Sequence, residues 1–122
     1  MGDATGRLGR LGEAAAAQYL KRLGYRIVVR NYTCPAGEID IIAVDGRQVV
    51  FVEVKTRRSS DAADPEIAVH AHKRRQVTRA ARYYLAQTRN QDRACRFDVI
   101  AIVLPDHGPP QIEHFIDAFV AA

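Results

Sequence analysis

Leu8, Leu11, Ala15, Tyr19 and Leu23 recur at helical spacing, which predicts a first helix from about Thr5 to Leu23, stopped by Gly24. Tyr25 to Val29 then reads as a short strand, Glu38 to Val44 as a second and Gln48 to Lys55 as a third. Asp45-Gly46 between the last two predicts a two-residue hairpin. Thr56 to Asp64 is polar and reads as a loop, and Asp64-Pro65-Glu66 has the composition of a helix start. That helix runs to about Gln87, with an interruption near His70-Ala71-His72, and buries Val77, Ala80, Ala81, Tyr84 and Leu85. Arg96 to Leu104 predicts a fourth strand and Gln111 to Phe115 a short edge strand after a turn at Pro105 to Pro110. The order α-β-β-β-α-β-β predicts an α/β fold, with helices packed on a mixed β-sheet.

The strand Phe51-Val52-Glu53-Val54-Lys55 breaks its own pattern, because an acid and a base stand two residues apart inside an apolar run. Side chains at i and i+2 leave a strand on one face. With Asp45 and Gly46 as the central turn residues, Ile42 faces Val49, Asp40 faces Phe51 and Glu38 faces Glu53. Glu38, Asp40, Glu53 and Lys55 then share a face, and Asp40 and Glu53 are diagonal neighbours about 7 Å apart at the backbone. Two carboxylates this close repel unless one is protonated or a cation sits between them. Mg²⁺ or Mn²⁺ suits such a pair, since these ions are held by one or two carboxylates and keep several waters. Beside such a cation Lys55 can position water or neutralise charge on a phosphate, which suits phosphodiester hydrolysis. Glu13 lies within about 20° of Leu20 at 100° per residue, so it either joins the acidic set or sits at the boundary of the apolar stripe with its tip in water. The competing reading of the strand is a Glu53–Lys55 ion pair on a solvent-facing sheet.

The chain has 122 residues, enough for one domain spanning 1–122 and too few for two. Its formal charge is +4, from 18 basic and 14 acidic side chains, which favours an anionic partner. Basic residues dominate from Arg57 to Arg96, and Arg75, Arg79 and Arg82 form one helical stripe. With Arg57, Arg58 and Lys73 they are the candidate nucleic-acid contacts, against the plainer reading of a solvated helix face. No apolar run approaches the roughly 20 residues of a membrane span, and the start shows no signal or myristoylation pattern, so a cytoplasmic location is expected. Cys34 and Cys95 are expected as reduced thiols. His70-x-His72 lacks a third ligand at zinc spacing, and His107 and His114 look unremarkable.

Asp40-Ile41-Ile42-Ala43, the Asp45-Gly46 turn and Val52-Glu53-Val54-Lys55 resemble the PD-(D/E)XK nuclease motif, an acid on one strand followed by acid-x-Lys on the next. Together with Gly12-Glu13, Arg30-Asn31-Tyr32, Gly37-Glu38-Ile39-Asp40, Thr56-Arg57 and Arg96-Phe97-Asp98, they are similar to the YraN-like family of small bacterial proteins. Ile39 stands where the motif name has Pro. The resemblance implies a restriction-endonuclease-like fold similar to archaeal Holliday-junction resolvases. By it Asp40 and Glu53 would be metal ligands, Lys55 the catalytic lysine and Glu13 the helix-borne acid. It implies a metal-dependent DNA endonuclease, with branched DNA as substrate and a homodimer as the acting form. The rivals are a catalytically inactive nucleic-acid-binding module of the same fold and a protein-interaction domain with a structural ion pair.

Overall fold

The computed structural model of the chain describes residues 4–59 and 70–121. Its elements are α1 (Ala4–Arg22), β1 (Arg26–Cys34), β2 (Gly37–Asp45), β3 (Gln48–Arg58), α2 (Ala71–Gln87), β4 (Cys95–Leu104) and β5 (Gln111–Phe119), in the expected order. The expected helix start at Asp64-Pro65-Glu66 lies outside the described residues; α2 begins at Ala71, with His70 at the N-cap position, where the interruption was expected. Three strands run longer than expected: β3 continues past Lys55 through Thr56 and Arg57 to Arg58, where a loop was expected. β1 continues past Val29 to Cys34, and β5 reaches Phe119.

The sheet runs β1-β2-β3-β4-β5, with β3 and β4 parallel and the other neighbours antiparallel. A parallel pair needs a crossover, and α2 supplies it between β3 and β4. Val49 to Val52 and Phe97 to Ile102 are buried on both faces, the continuous apolar pattern of central strands covered from both sides. On one face Ile41, Ala43, Val50, Val52, Ile100 and Ile102 pack on Ala16, Ala17 and Leu20 of α1. On the other, Ile39, Ile42, Val49, Phe51 and Phe97 pack on Val77, Ala80, Ala81 and Leu85 of α2. Cys34 and Cys95 are free thiols at the rim of this second core.

The expected stripe on α1 was misplaced. Leu11 and Leu23 are about half exposed, whereas Ala16, Ala17 and Leu20 are buried. Small residues form the inner face because the helix lies close to the sheet. At Gly12 an added Cβ would fall 1.8 Å from Thr56 Oγ1, so the absence of a side chain there sets how near α1 approaches β3. Glu13 follows directly on this contact, in line with Leu20.

A charged group is buried on β4, beside Val52 of β3. Asp98 is fully buried. Its carboxylate accepts from Arg96 Nε at 3.0 Å and Nη2 at 3.2 Å, and from the Asp117 amide at 2.9 Å. It also lies 2.8 Å from His114 Nε2. His114 is thus far from unremarkable: its Nδ1 meets Tyr19 Oη at 3.2 Å, tying β5 to α1. Arg96 likewise leaves the expected basic run, since it also donates to Tyr25 Oη, Gln48 and Asp45. β5 bulges opposite Asp98, with a register shift between Phe97 and Val99 and a left-handed Asp117 at φ 56°. The Asp98 carboxylate takes up the amide that this bulge frees.

Gly12→Ala should destabilise the fold by about 1–3 kcal/mol through overpacking, and Thr56→Ala in the same chain should recover part of the loss, read from urea unfolding midpoints. Burial alone would raise the Asp98 carboxyl, but the hydrogen bonds from His114, Arg96 and the Asp117 amide outweigh it and hold it below the usual range. Its folded-state value is therefore depressed. The stability it contributes is present above its ordinary value of 3.8 and is lost as pH falls through the lower folded value. Asp98→Ala should cost about 3–5 kcal/mol near neutral pH and flatten the acid limb of a pH-dependent unfolding series.

Candidate metal and phosphate site

The β2–β3 turn differs from the expected one. Asp45 pairs with Gln48, so Gly46 and Arg47 are the central residues. Gly46 has φ 62° and Arg47 is not among the positive-φ residues, which is the pattern of a type II′ turn with Gly first. The register therefore moves by two: Ile42 faces Phe51 rather than Val49. A shift of two leaves every side chain on its original face, whereas a shift of one would have inverted them. Ile41↔Val52 is the last pair of this ladder, and one further step sets Asp40 across from Glu53 rather than diagonal to it. Glu38 is drawn away to pair with Thr33 on β1 and is exposed.

The ladder ends there because a side chain replaces it. Asp40 Oδ2 accepts the Val54 amide at 2.8 Å. The neighbouring β1 accommodates this opening through Asn31, which has a left-handed φ of 55°. Asn31 hydrogen-bonds Glu13, and Glu13 hydrogen-bonds Asp40. Glu13 therefore reaches Asp40 from α1, the first of the two readings its alignment with Leu20 left open, while Glu53 reaches it from β3. Asp40 lies between them as the common hydrogen-bond partner. Glu13 Oε1 is buried without a hydrogen-bond partner.

Lys73 completes the group from α2. Its Nζ lies 3.7 Å from Glu53 Oε2, with 14% of the Glu53 side chain exposed. The spacing argument had placed Lys73 with the outer basic residues; its helical position one turn before the buried Val77 was the available signal for an inward role. Lys55 is close enough to act on the charge of Glu53. Alternation along β3 puts Phe51, Glu53, Lys55 and Arg57 on the α2 side, and Thr56 beneath Gly12 on the other.

All three carboxyls are pushed up. Burial is the main cause for Glu53, followed by the Asp40 charge, with Lys73 opposing, and the result is about 7. Burial also raises Asp40, against the Val54 amide and Lys73, and raises Glu13, with Asp40 adding to it. Physically, the group holds more negative charge than its surroundings compensate, so it retains protons or attracts a cation. Among the described residues no three His, Cys, Asp or Glu side chains stand ready as a metal cage. Mg²⁺ needs only one or two carboxylates with waters, and Asp40 with Glu53 meets that requirement. The partnerless Glu13 oxygen adds a further buried acceptor.

The remaining basic residues divide into two sets. Arg57, half-buried, and Arg58, exposed, end β3 just beyond Lys55. Arg75, Arg79 and Arg82 are exposed on α2. At 1.5 Å per residue, Arg79 and Arg82 stand about 9 and 14 Å along the helix from Lys73. They form a track leading away from the carboxylates. His70 and His72 are exposed.

Residues 12–102 match the family described as Uncharacterised protein family UPF0102. This chain belongs to that family. A UPF0102 protein of Geotalea daltonii is 55% identical over 92% of this chain and 88% of its own length. UPF0102 proteins of Geobacter sulfurreducens and Chlorobium limicola are 49% and 50% identical, over 94% and 92% of this chain and 90% and 91% of their own lengths. The matched span takes in Glu13, Asp40, Glu53, Lys55 and Lys73 together with both layers of the core. No helix among the described residues is long and apolar enough to cross a membrane.

Asp40→Asn should bring the Glu53 carboxyl down from about 7 toward its ordinary value of 4.5, because it removes the neighbouring charge. Carbon-detected NMR titration of the Glu53 carboxyl would read this. A raised folded-state value makes the fold lose stability as pH climbs from about 4.5 to about 7, so Glu53→Gln should abolish that part of the pH dependence.

Proposed function

We propose that this chain is a metal-dependent endonuclease-like protein that hydrolyses phosphodiester bonds in DNA. The observation that carries the reading is the Asp40–Glu53 pair at the end of the β2–β3 ladder, with Lys55 on the same face. Asp40 and Glu53, supported by Glu13, would hold Mg²⁺ or Mn²⁺. When bound, such an ion neutralises the phosphate and makes water more acidic. The protein's own part is mainly positional. The Val54 amide fixes Asp40 Oδ2, and the Gly12–Thr56 contact fixes the height of Glu13. Lys55 Nζ donates hydrogen bonds to the attacking water or a phosphoryl oxygen, and Lys73 offers a second ammonium that can leave Glu53 for the phosphate. Arg57 and Arg58, with the Arg75, Arg79 and Arg82 track, dock the DNA backbone. Branched DNA fits the reading as substrate, a homodimer as the form suited to two-fold DNA, and the cytoplasm as the place of action.

One observation favours a second reading. The Lys73–Glu53 ion pair compensates the site in part without any metal, as it would in a nucleic-acid-binding module that keeps the nuclease fold and does not cut. Incubation with linear, flapped and four-way DNA in Mg²⁺ and Mn²⁺ separates the two. Wild type should cleave, and Asp40→Ala and Lys55→Ala should each lose about 100-fold or more. Cleavage that survives both substitutions removes the mechanism. Salt-dependent binding without cleavage favours the module, and absence of such binding removes both.

A further inference from the structure

The face that carries Glu53 and Lys55 continues past them as a shallow depression of about 380 Å³, lined by Arg57, Ala101, Val103, Gln111, Ile112 and Glu113. Strand register builds it in rows. Lys55 lies beside Ala101 and Ala101 beside Glu113; Arg57 lies beside Val103 and Val103 beside Gln111. The Glu53 row, with Val99 and Phe115, comes directly before them. The depression is therefore the next stretch of surface along β3 from the carboxylates.

Its walls differ in chemistry. β3 contributes cationic Arg57, with Lys55 in register beside Ala101, β4 an apolar floor of Ala101 and Val103, and β5 the acceptors Gln111 and Glu113. The outer walls stand two interstrand spacings apart, about 10 Å. A ligand that fits carries an anion at one end, an apolar flat middle and hydrogen-bond donors at the other end. A nucleotide has this layout. Its phosphate belongs on the Arg57 side, since Glu113 repels it, and the amino edge of its base donates to Glu113 and Gln111. The volume lies at the lower end of the range of ligand pockets, enough for one nucleotide. In a duplex the base edges are paired and stacked inward, so only an unpaired base reaches such a floor.

We propose that this depression is a subsite for one unpaired nucleotide, adjoining the phosphate at the Asp40–Glu53 site; it rests on the nucleic-acid reading of that site. The subsite makes the enzyme selective for DNA with a single-stranded segment at the cut. The test is fluorescence anisotropy in EDTA, at fixed salt, with a flapped duplex whose first unpaired nucleotide is cytosine or an abasic site, beside a blunt duplex. Wild type should bind the cytosine flap about tenfold more tightly than the abasic one. Ala101→Phe, which fills the floor, and the Gln111→Ala/Glu113→Ala pair should each erase that difference while blunt-duplex affinity stays the same. The pair substitutes exposed side chains and remains informative where Ala101→Phe fails to fold. Equal binding of the two flaps by wild type, or a preference that survives in the pair, overturns the subsite. Since the readout is binding without divalent cations, a protein that never cuts still passes or fails this test. Equal binding of the two flaps by a wild-type protein that still cleaves DNA overturns the subsite and spares the endonuclease.

Discussion

The hydrogen bond from the Val54 amide to Asp40 Oδ2 is the interaction on which the site depends. A carboxylate here performs the task of a strand carbonyl. By ending the β2–β3 ladder after Ile41↔Val52, it opens the sheet where Glu53 begins to carry charge. The left-handed Asn31 on β1 and the approach of Glu13 from α1 are fitted around that opening. The cost is a buried cluster of acids, and the flanking core meets it. Ile41, Ile42, Phe51 and Val52 are almost fully buried on the two faces just before the opening, each worth about 1.5–3 kcal/mol.

Asp98 makes a useful comparison within the same molecule. It too is an aspartate that accepts a neighbouring strand's amide where pairing is irregular. Around Asp98 the structure places Arg96 and His114, and the carboxyl is held low. Around Asp40 burial outweighs the Val54 amide and Lys73, and the carboxyls of Asp40, Glu13 and Glu53 are all held high. One backbone solution thus serves two ends. The compensated aspartate fastens β5 to the body of the fold, and the partly compensated one leaves an unmet demand for positive charge.

Much of this was legible in the chain. The element order, the apolar faces of β3 and α2, and the shared face of Glu53 and Lys55 all follow from periodicity. Asp40 still comes within reach of Glu53 despite an incorrect turn, because the register moved by an even number. The α1 face is rotated from the expected stripe, because close approach at Gly12 selects Ala16 and Ala17 over Leu11 and Leu23, while Ala15 and Tyr19 still pack at its edge. β1 runs on past Val29 through the polar Arg30-Asn31, a stretch without apolar alternation, and Asn31 there hydrogen-bonds Glu13. His114 and Lys73 were hidden for another reason. Each gains its role from partners 16 and 20 positions away, at Asp98 and Glu53, and single-chain periodicity carries no information about such pairings.

A sheet of five strands is normally a partition: what packs on one side has little effect on what packs on the other. The opening at Asp40 makes a window in it. Glu13 belongs to the helix on one side and Lys73 to the helix on the other, yet both act on the same carboxyl. The two helices, which have separate cores, are therefore electrically in contact through the sheet. A disturbance of the first turn of α2 becomes a disturbance felt in the middle of α1.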